Sequence, residues 1–284
     1  MTWTLRPGTA EDVATVTELF ALHDLVEFGW LEMEPSDIEE IFDTEGDTWL
    51  AHDGERPVGF AHLRHNGECD TVTDPAYQGS LRHDLVELVV NTARQKGIPH
   101  LEHWAGAGEH LTAPALRPFG FEHAVTTWRM ERHLDTELPE AAWPDDVELS
   151  PFVRERDSVA AWSTVQDAFR GTGFSHERSH EEWSRMLLDV GYDVICARRG
   201  GELVGCAVHG MRLSKGHVAQ LAVLPGERGT GLGRALLLES FRRDAARGLP
   251  TTLTVDGRNA TALRLYQGVG MIIDREYWRW DLQH

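Results

Sequence analysis

The stretch "LAVLPGERGTGLGRALL" (residues 221–237) places Gly229, Gly231 and Gly233 within five residues, directly ahead of an apolar helical pattern. Glycine permits left-handed turns and lets a ligand come close to the backbone. Where a strand turns into a helix, the first N–H groups of the helix lack partners. Together with the helix dipole they form an anion site suited to a phosphate or pyrophosphate. Two common phosphate motifs do not fit. A P-loop requires Lys and Ser/Thr after G-x-x-x-x-G, and this chain has Leu232 and Gly233 there. A dinucleotide fingerprint requires G-x-G-x-x-G, and the spacing here is G-x-G-x-G.

At 284 residues with 41% hydrophobic side chains, the chain can bury substantial cores, and its length predicts two domains. No run of eighteen apolar residues occurs, and "MTWTLRPGTAEDVATV" (1–16) has neither a basic nor an apolar leader region. A cytoplasmic protein without membrane contacts is expected, as monomer or homodimer. Cys69, Cys196 and Cys206 are odd in number and lack C-x-x-C spacing, so they read as small buried hydrophobes. The net charge of −19 is unevenly placed: residues 1–142 hold 27 acidic and 9 basic side chains, residues 143–284 hold 19 and 18. Such a field repels nucleic acid and attracts a cationic amine.

The two halves resemble each other. "DTWLAHDGERPVGFAHL" (47–63) and "DVICARRGGELVGCAVH" (193–209) both read strand, turn, strand, at an offset of 146. Pro75-x-x-Gln78-Gly79 matches Pro225-x-x-Arg228-Gly229 at 150, and Gly97-Ile98-Pro99 matches Gly248-Leu249-Pro250 at 151, each pair closing a helix. Gly120-Phe121 with Trp128-Arg129-Met130 matches Gly270-Met271 with Trp278-Arg279-Trp280, again at 150. This is a tandem duplication. Its join is expected in "DTELPEAAWPDDVEL" (135–149), which carries two prolines, many acids and no sustained periodicity. The expected domains are residues 1–134 and 147–284, with 135–146 as linker. Each copy alternates strands and helices in a mixed α/β order, a twisted mixed sheet flanked by helices.

A second set of spacings follows in "LTVDGRNATALRLYQGVGM" (253–271), where Asn259, Ala262, Leu265-Tyr266 and Gly270-Met271 stand downstream of Arg228-x-x-Gly231-x-Gly233. Together these motifs resemble the GNAT N-acetyltransferase superfamily over about residues 147–284. The resemblance implies acetyl-CoA, with its pyrophosphate on the amides of Arg228, Gly229, Thr230, Gly231, Leu232, Gly233 and Arg234. It also implies pantetheine along the Leu221, Ala222 and Val223 strand, with Asn259 and Ala262 beside the cofactor. Tyr266 occupies the family's general-acid position, and an amide near Leu221 or Val223 faces the oxyanion. His217 stands where many relatives carry a glutamate base, and imidazole, with a reference pKa of about 6.5, is suited to that task.

The first copy departs from this pattern. Its turn, "YQGSLRHDL" (77–85), is one residue shorter and lacks the later glycines; Leu116 stands at the place of Tyr266 and Glu109 at that of Asn259. It therefore reads as a degenerate GNAT domain. The tandem layout is similar to the mycothiol synthase family, whose resemblance implies transfer to the amine of a cysteine conjugate. "VQDAFRGTGFSHERSHEEWSRML" (165–187) looks like that family's substrate-side helices, which makes Phe169, Phe174, His176 and Trp183 acceptor-pocket candidates. The acidic run "LEMEPSDIEEIFDTEGD" (31–47) adds Glu32 and Glu34 as groups to attract a cationic amine. His62-x-x-His65 and His100-x-x-His103 fall in expected strands, where a spacing of three points side chains to opposite faces, so no metal site is expected. An N-acetyltransferase of a small-molecule amine is the leading reading. A non-catalytic acyl-CoA sensor is the alternative, and a thiol-release assay with an amine panel separates them.

Overall fold

The computed structural model describes residues 3–77, 79–135, 137–170 and 178–284. Along the first copy run β1 (Thr4–Pro7), α1 (Val13–Glu27), α2 (Pro35–Asp43), β2 (Gly46–Asp53), β3 (Arg56–Arg64), β4 (Glu68–Thr73), α3 (Ser80–Lys96), β5 (His100–Gly106), α4 (Thr112–Leu116) and β6 (Glu122–Arg132). The second copy follows with β7 (Val147–Ser150), α5 (Arg154–Phe169), α6 (His180–Trp183), β8 (Asp193–Arg199), β9 (Glu202–Arg212), β10 (Lys215–Val223), α7 (Leu232–Ala245), β11 (Thr251–Asp256), α8 (Ala260–Gln267) and β12 (Ile272–Gln283).

The chain forms two units, one of Met1–Thr127 with Glu276–His284 and the other of Trp128–Arg275. In the first, the strand order is β1-β2-β3-β4-β5 followed by β12, whose residues 277–283 run antiparallel to β5. Among the described pairings there, β4 with β5 is parallel and the others are antiparallel. The second unit repeats the order as β7-β8-β9-β10-β11 followed by β6, with β10 and β11 parallel. Each unit thus closes its sheet with the last strand of the other copy, and the units differ from the expected 1–134 and 147–284 by exchange of two matching strands. The expected linker is also not a free tether, because Leu138, Ala141 and Trp143 pack against the second unit's core.

Both units bury apolar side chains on two sheet faces. The α3 side of the first collects Leu81, Leu85, Val89, Leu101, Leu116 and, from β12, Trp280 and Leu282. The α7 side of the second collects Leu232, Leu236, Phe241, Leu253 and, from β6, Met130. Strand β9 is buried from Leu203 to Gly210, which explains its lack of polar alternation. Gly200 and Gly201, both at positive φ (58° and 89°), close the β8–β9 hairpin as a two-residue turn that only such backbone permits. Helix α3 stops where the Gly97-Ile98-Pro99 signal placed it: Gly97 is left-handed, and the Ile98 N–H returns to the Ala93 carbonyl at 2.9 Å.

If β12 completes the first unit, Leu282→Ala should destabilise that unit by about 2–5 kcal/mol, the usual cost of trimming a buried leucine. Urea unfolding, with amide exchange read in α3 and β5, measures this. A loss confined to α7 and β11 would contradict the exchange.

Candidate active site

Strand β10 pairs with β9 along its length but with β11 only at Gly216 and His217. Beyond His217 the two parallel strands part, and among the described residues the β11-facing edge of β10 has no strand partner. A bulge between Val218 and Gln220 interrupts the β9 side. As a result Val218 and Leu221, three residues apart, both pack on the α7 side, while Ala219 and Ala222 pack on the α5 side. An open edge of this kind offers backbone groups to an extended amide chain.

At the end of β10 the chain makes a 3-10 turn at Pro225–Glu227. The Arg228 N–H is already engaged with the Pro225 carbonyl at 3.4 Å, and the first helical bond runs from the Ala235 N–H to the Gly231 carbonyl at 3.0 Å. Between them the amides of residues 229–234 have no acceptor among the described residues. Gly229 and Gly231 take φ of 80° and 93°, a region costly for any side chain. The turn is held from behind. Arg199 grips Glu227 with a two-pronged contact at 3.1 and 3.0 Å, and the Arg228 guanidinium donates to the Ala168 carbonyl of α5 at 2.6 Å. Arg228 therefore braces the turn through its side chain, and the free-amide set begins one residue later than the motif suggested.

Asn259 caps α8, its Oδ1 accepting the Ala262 N–H at 3.1 Å, so these two residues bond to each other and fix the helix start. One turn on, the Tyr266 ring joins the α7-side core at 9% exposure. Its hydroxyl has no hydrogen-bond partner among the described residues, and it is not a sealed polar atom. Burial pushes its pKa up to about 12, which keeps the phenol protonated through neutral pH.

His217 lies opposite Gly210 of β9, and its Nδ1 is 2.7 Å from the Tyr192 hydroxyl. A Cβ on Gly210 would sit 2.7 Å from the Tyr192 ring, so only glycine leaves room for it. Tyr192 was not legible as a site residue; the glycine inside an apolar strand was the available signal. Trp183 is core: it is 1% exposed, and its Nε1 donates to Gln220 Oε1 at 2.8 Å. Phe169 is half-buried against the same α5-side cluster. Phe174 and His176 lie outside the described residues. In the first unit, Glu32 Oε2 accepts from the Tyr277 hydroxyl at 2.5 Å and its other oxygen from the Trp30 indole, while Glu34 caps α2. Both acids have structural tasks there. His62 pairs with Asp70 at 2.9 Å rather than with His65. Among the described residues His100, Glu102 and Asp281 approach a metal-ligand grouping, but Arg279 nitrogens lie 2.9 Å from both carboxylates and already supply the positive charge.

Free amides at a helix start, an open strand edge leading toward them and an unpartnered phenol on the next helix fit the pyrophosphate, pantetheine and thioester ends of acetyl-CoA. The acetyltransferase (GNAT) family model matches residues 158–271. The mycothiol acetyltransferase of Thermobispora bispora is 33% identical over 235 residues, covering 78% of this chain and 78% of that protein. The chain belongs to the GNAT acetyltransferase family. It is an N-acetyltransferase that uses acetyl-CoA. The mycothiol acetyltransferase of Acidothermus cellulolyticus is 32% identical over 261 residues, 82% of this chain and 77% of that one. Among solved structures, a GCN5-related N-acetyltransferase from Sphaerobacter thermophilus aligns with TM-score 0.79 at 21% identity, covering 99% of this chain and 95% of that one. A tandem GNAT protein of the clavulanic acid biosynthesis pathway aligns with TM-score 0.75 at 16% identity, covering 99% and 98%. These two bear on the fold, which is a tandem of GNAT domains.

The turn geometry predicts that Gly231→Val weakens acetyl-CoA binding at least tenfold, because a branched side chain resists positive φ and crowds the free amides. Calorimetry with circular dichroism as a folding control measures it. Unchanged affinity in a folded variant would detach the turn from the cofactor.

Proposed function

We propose that the second unit acetylates the primary amine of a small metabolite by direct transfer, with Tyr266 as general acid and His217 as base. The observation that carries this reading is the Tyr266 hydroxyl, without a hydrogen-bond partner among the described residues, on a buried ring of the helix that follows the free amides and the open strand. A polar group left without a protein partner in a largely apolar wall has a ligand as its natural complement. Acetyl-CoA supplies an activated acetyl group as a thioester. Amides 229–234 bind its phosphates, and the exposed edge of β10 aligns its pantetheine arm. The backbone N–H of Leu221 or Val223 receives the negative charge that develops on the carbonyl oxygen. His217 takes the proton of the attacking amine, directly or through water, and Tyr266 holds a proton for the departing sulfur.

The acid step has an energetic condition. Tyr266 at about 12 lies above the roughly 8.5 of a free thiol, so transfer in water would run uphill. The same burial that raises the phenol also disfavours a bare thiolate beside it, which brings the two proton affinities together.

The acceptor we favour is the amine of a cysteine conjugate, because the relatives at 33% and 32% identity that span most of the chain are mycothiol acetyltransferases. His217, where that pattern has glutamate, and the acidic first copy favour the second reading, a polycationic amine. Rates over a panel containing a cysteine conjugate and cationic, neutral and anionic amines, at two salt concentrations, separate them. A neutral conjugate preferred without salt dependence supports the first, and a salt-sensitive preference for polyamines supports the second. No thiol release with any amine would sink both.

Tyr266→Phe keeps the ring and removes the proton, so kcat should fall about 100-fold or more with acetyl-CoA affinity little changed. An unchanged kcat would remove Tyr266 from the chemistry. His217→Ala should lower kcat/KM and erase an acidic limb of its pH profile; a loss with that limb intact would leave His217 a positioning role.

A further inference from the structure

The first unit retains the scaffold that holds the cofactor in the second, but its slot is filled from within. The register between the copies can be read from packing. Leu81 and Leu85 of α3 lean on Gly59, as Leu232 and Leu236 of α7 lean on Gly205. Arg82 therefore stands at the position of Gly233. Further on, Leu116 and Tyr266 enter equivalent cores, which places Glu109 at Asn259 and Thr112 at Ala262. A Cβ on Gly233 would point between Val223 and Leu265, at 3.5 and 3.6 Å, into the space between β10, α7 and α8. From the corresponding position Arg82 crosses to the start of α4. Its Nη2 donates to Thr112 Oγ1 at 2.5 Å and lies 4.0 Å from Glu109 Oε2, while Glu109 Oε1 is 3.3 Å from His23 Nε2 of α1. Arg82 is 3% exposed, and the His23 and Glu109 side chains are 5% and 8% exposed. Strands β4 and β5 pair only at Glu68–Glu102 and Cys69–His103, so the parting of the parallel strands is retained. The bulge is not: β3 and β4 pair without a register shift.

We propose that Arg82, tied to Thr112 and Glu109, closes the first unit's cofactor slot, so that acetyl-CoA enters the second unit alone. This rests on the cofactor site proposed above. A buried cation is stable only when paired, and Glu109 supplies the charge that Asn259 does not. The three differences from the second unit, at the positions of Gly233, Asn259 and Ala262, thus make up one device. Because Nε and Nη1 of Arg82 have no acceptor among the described residues, the competing outcome is that this guanidinium receives a cofactor phosphate.

Hydrogen exchange on the full chain, with and without saturating acetyl-CoA, distinguishes the two. Protection should appear at residues 229–234 and be absent at 79–83. Protection at both, or two equivalents bound per chain by calorimetry, overturns the proposal. Binding without protection at 229–234 would instead refute the second-unit site. Arg82→Gly should then allow acetyl-CoA to protect residues 79–83, at an affinity at least tenfold weaker than the first site because the glycine turn and bulge are missing. A folded variant without that gain also overturns it. If Arg82→Gly does not fold, Gly233→Arg carries the test: it should weaken acetyl-CoA binding about 100-fold, and unchanged affinity counts against closure.

Discussion

The second unit's site depends on one constraint, that β10 is held on both sides only as far as His217. Had β11 continued alongside it, the backbone edge of residues 218–223 would be consumed by the sheet and no extended ligand could add to it. Release of β11 opens the edge, and the bulge between Val218 and Gln220 re-aims the strand's side chains over it. The glycine turn completes the arrangement. Gly229 and Gly231 carry the chain through positive φ, and α7 begins with its first amides uncovered. Arg199 on Glu227 and Arg228 on Ala168 hold the turn rigid from outside, so the free amides are organised before a ligand arrives.

The first unit keeps the parting of its strands but lacks the bulge and the two later glycines of the turn. Gly79 at φ 92° caps α3, with the His83 N–H returning to the Gly79 carbonyl at 3.1 Å. At the place of the second unit's Gly233, Asn259 and Ala262, Arg82, Glu109 and Thr112 stand together, with His23 beside Glu109. In the second unit, the amides of 229–234 and the Tyr266 hydroxyl have no protein partner among the described residues. The acidic surface expected to act on the substrate is partly committed to local structure. Glu34 caps a helix, Glu40 lies 3.4 Å from Arg64, and Glu32 serves Tyr277 and Trp30.

The duplication, the element order and the glycine turn ahead of α7 were legible in the sequence because glycine stops and apolar periods are local signals. The exchange of β6 and β12 was not, since Trp128-Arg129-Met130 and Trp278-Arg279-Trp280 are too alike for the sequence to say which strand joins which sheet. The bulge left a trace. Between Gly205 and Pro225 the second copy has four more residues than the first; three lengthen the β9–β10 hairpin, and the fourth, Ala219, is the bulged residue. Trp183 illustrates the opposite error. An aromatic on a substrate-side helix suggests a pocket wall, but its indole N–H is satisfied by Gln220 inside the core. Tyr192 was missed because its partner, His217, is distant in sequence and its seat is defined by a missing side chain at Gly210.

The most direct test of the account is a crystal structure of the full chain with acetyl-CoA bound. The account predicts pyrophosphate oxygens within hydrogen-bond distance of amides in 229–234, the pantetheine arm along the open edge of β10, and the thioester sulfur within reach of the Tyr266 hydroxyl. Acetyl-CoA bound only between β4 and β5 of the first unit, or bound in the second with its sulfur remote from Tyr266, would contradict it.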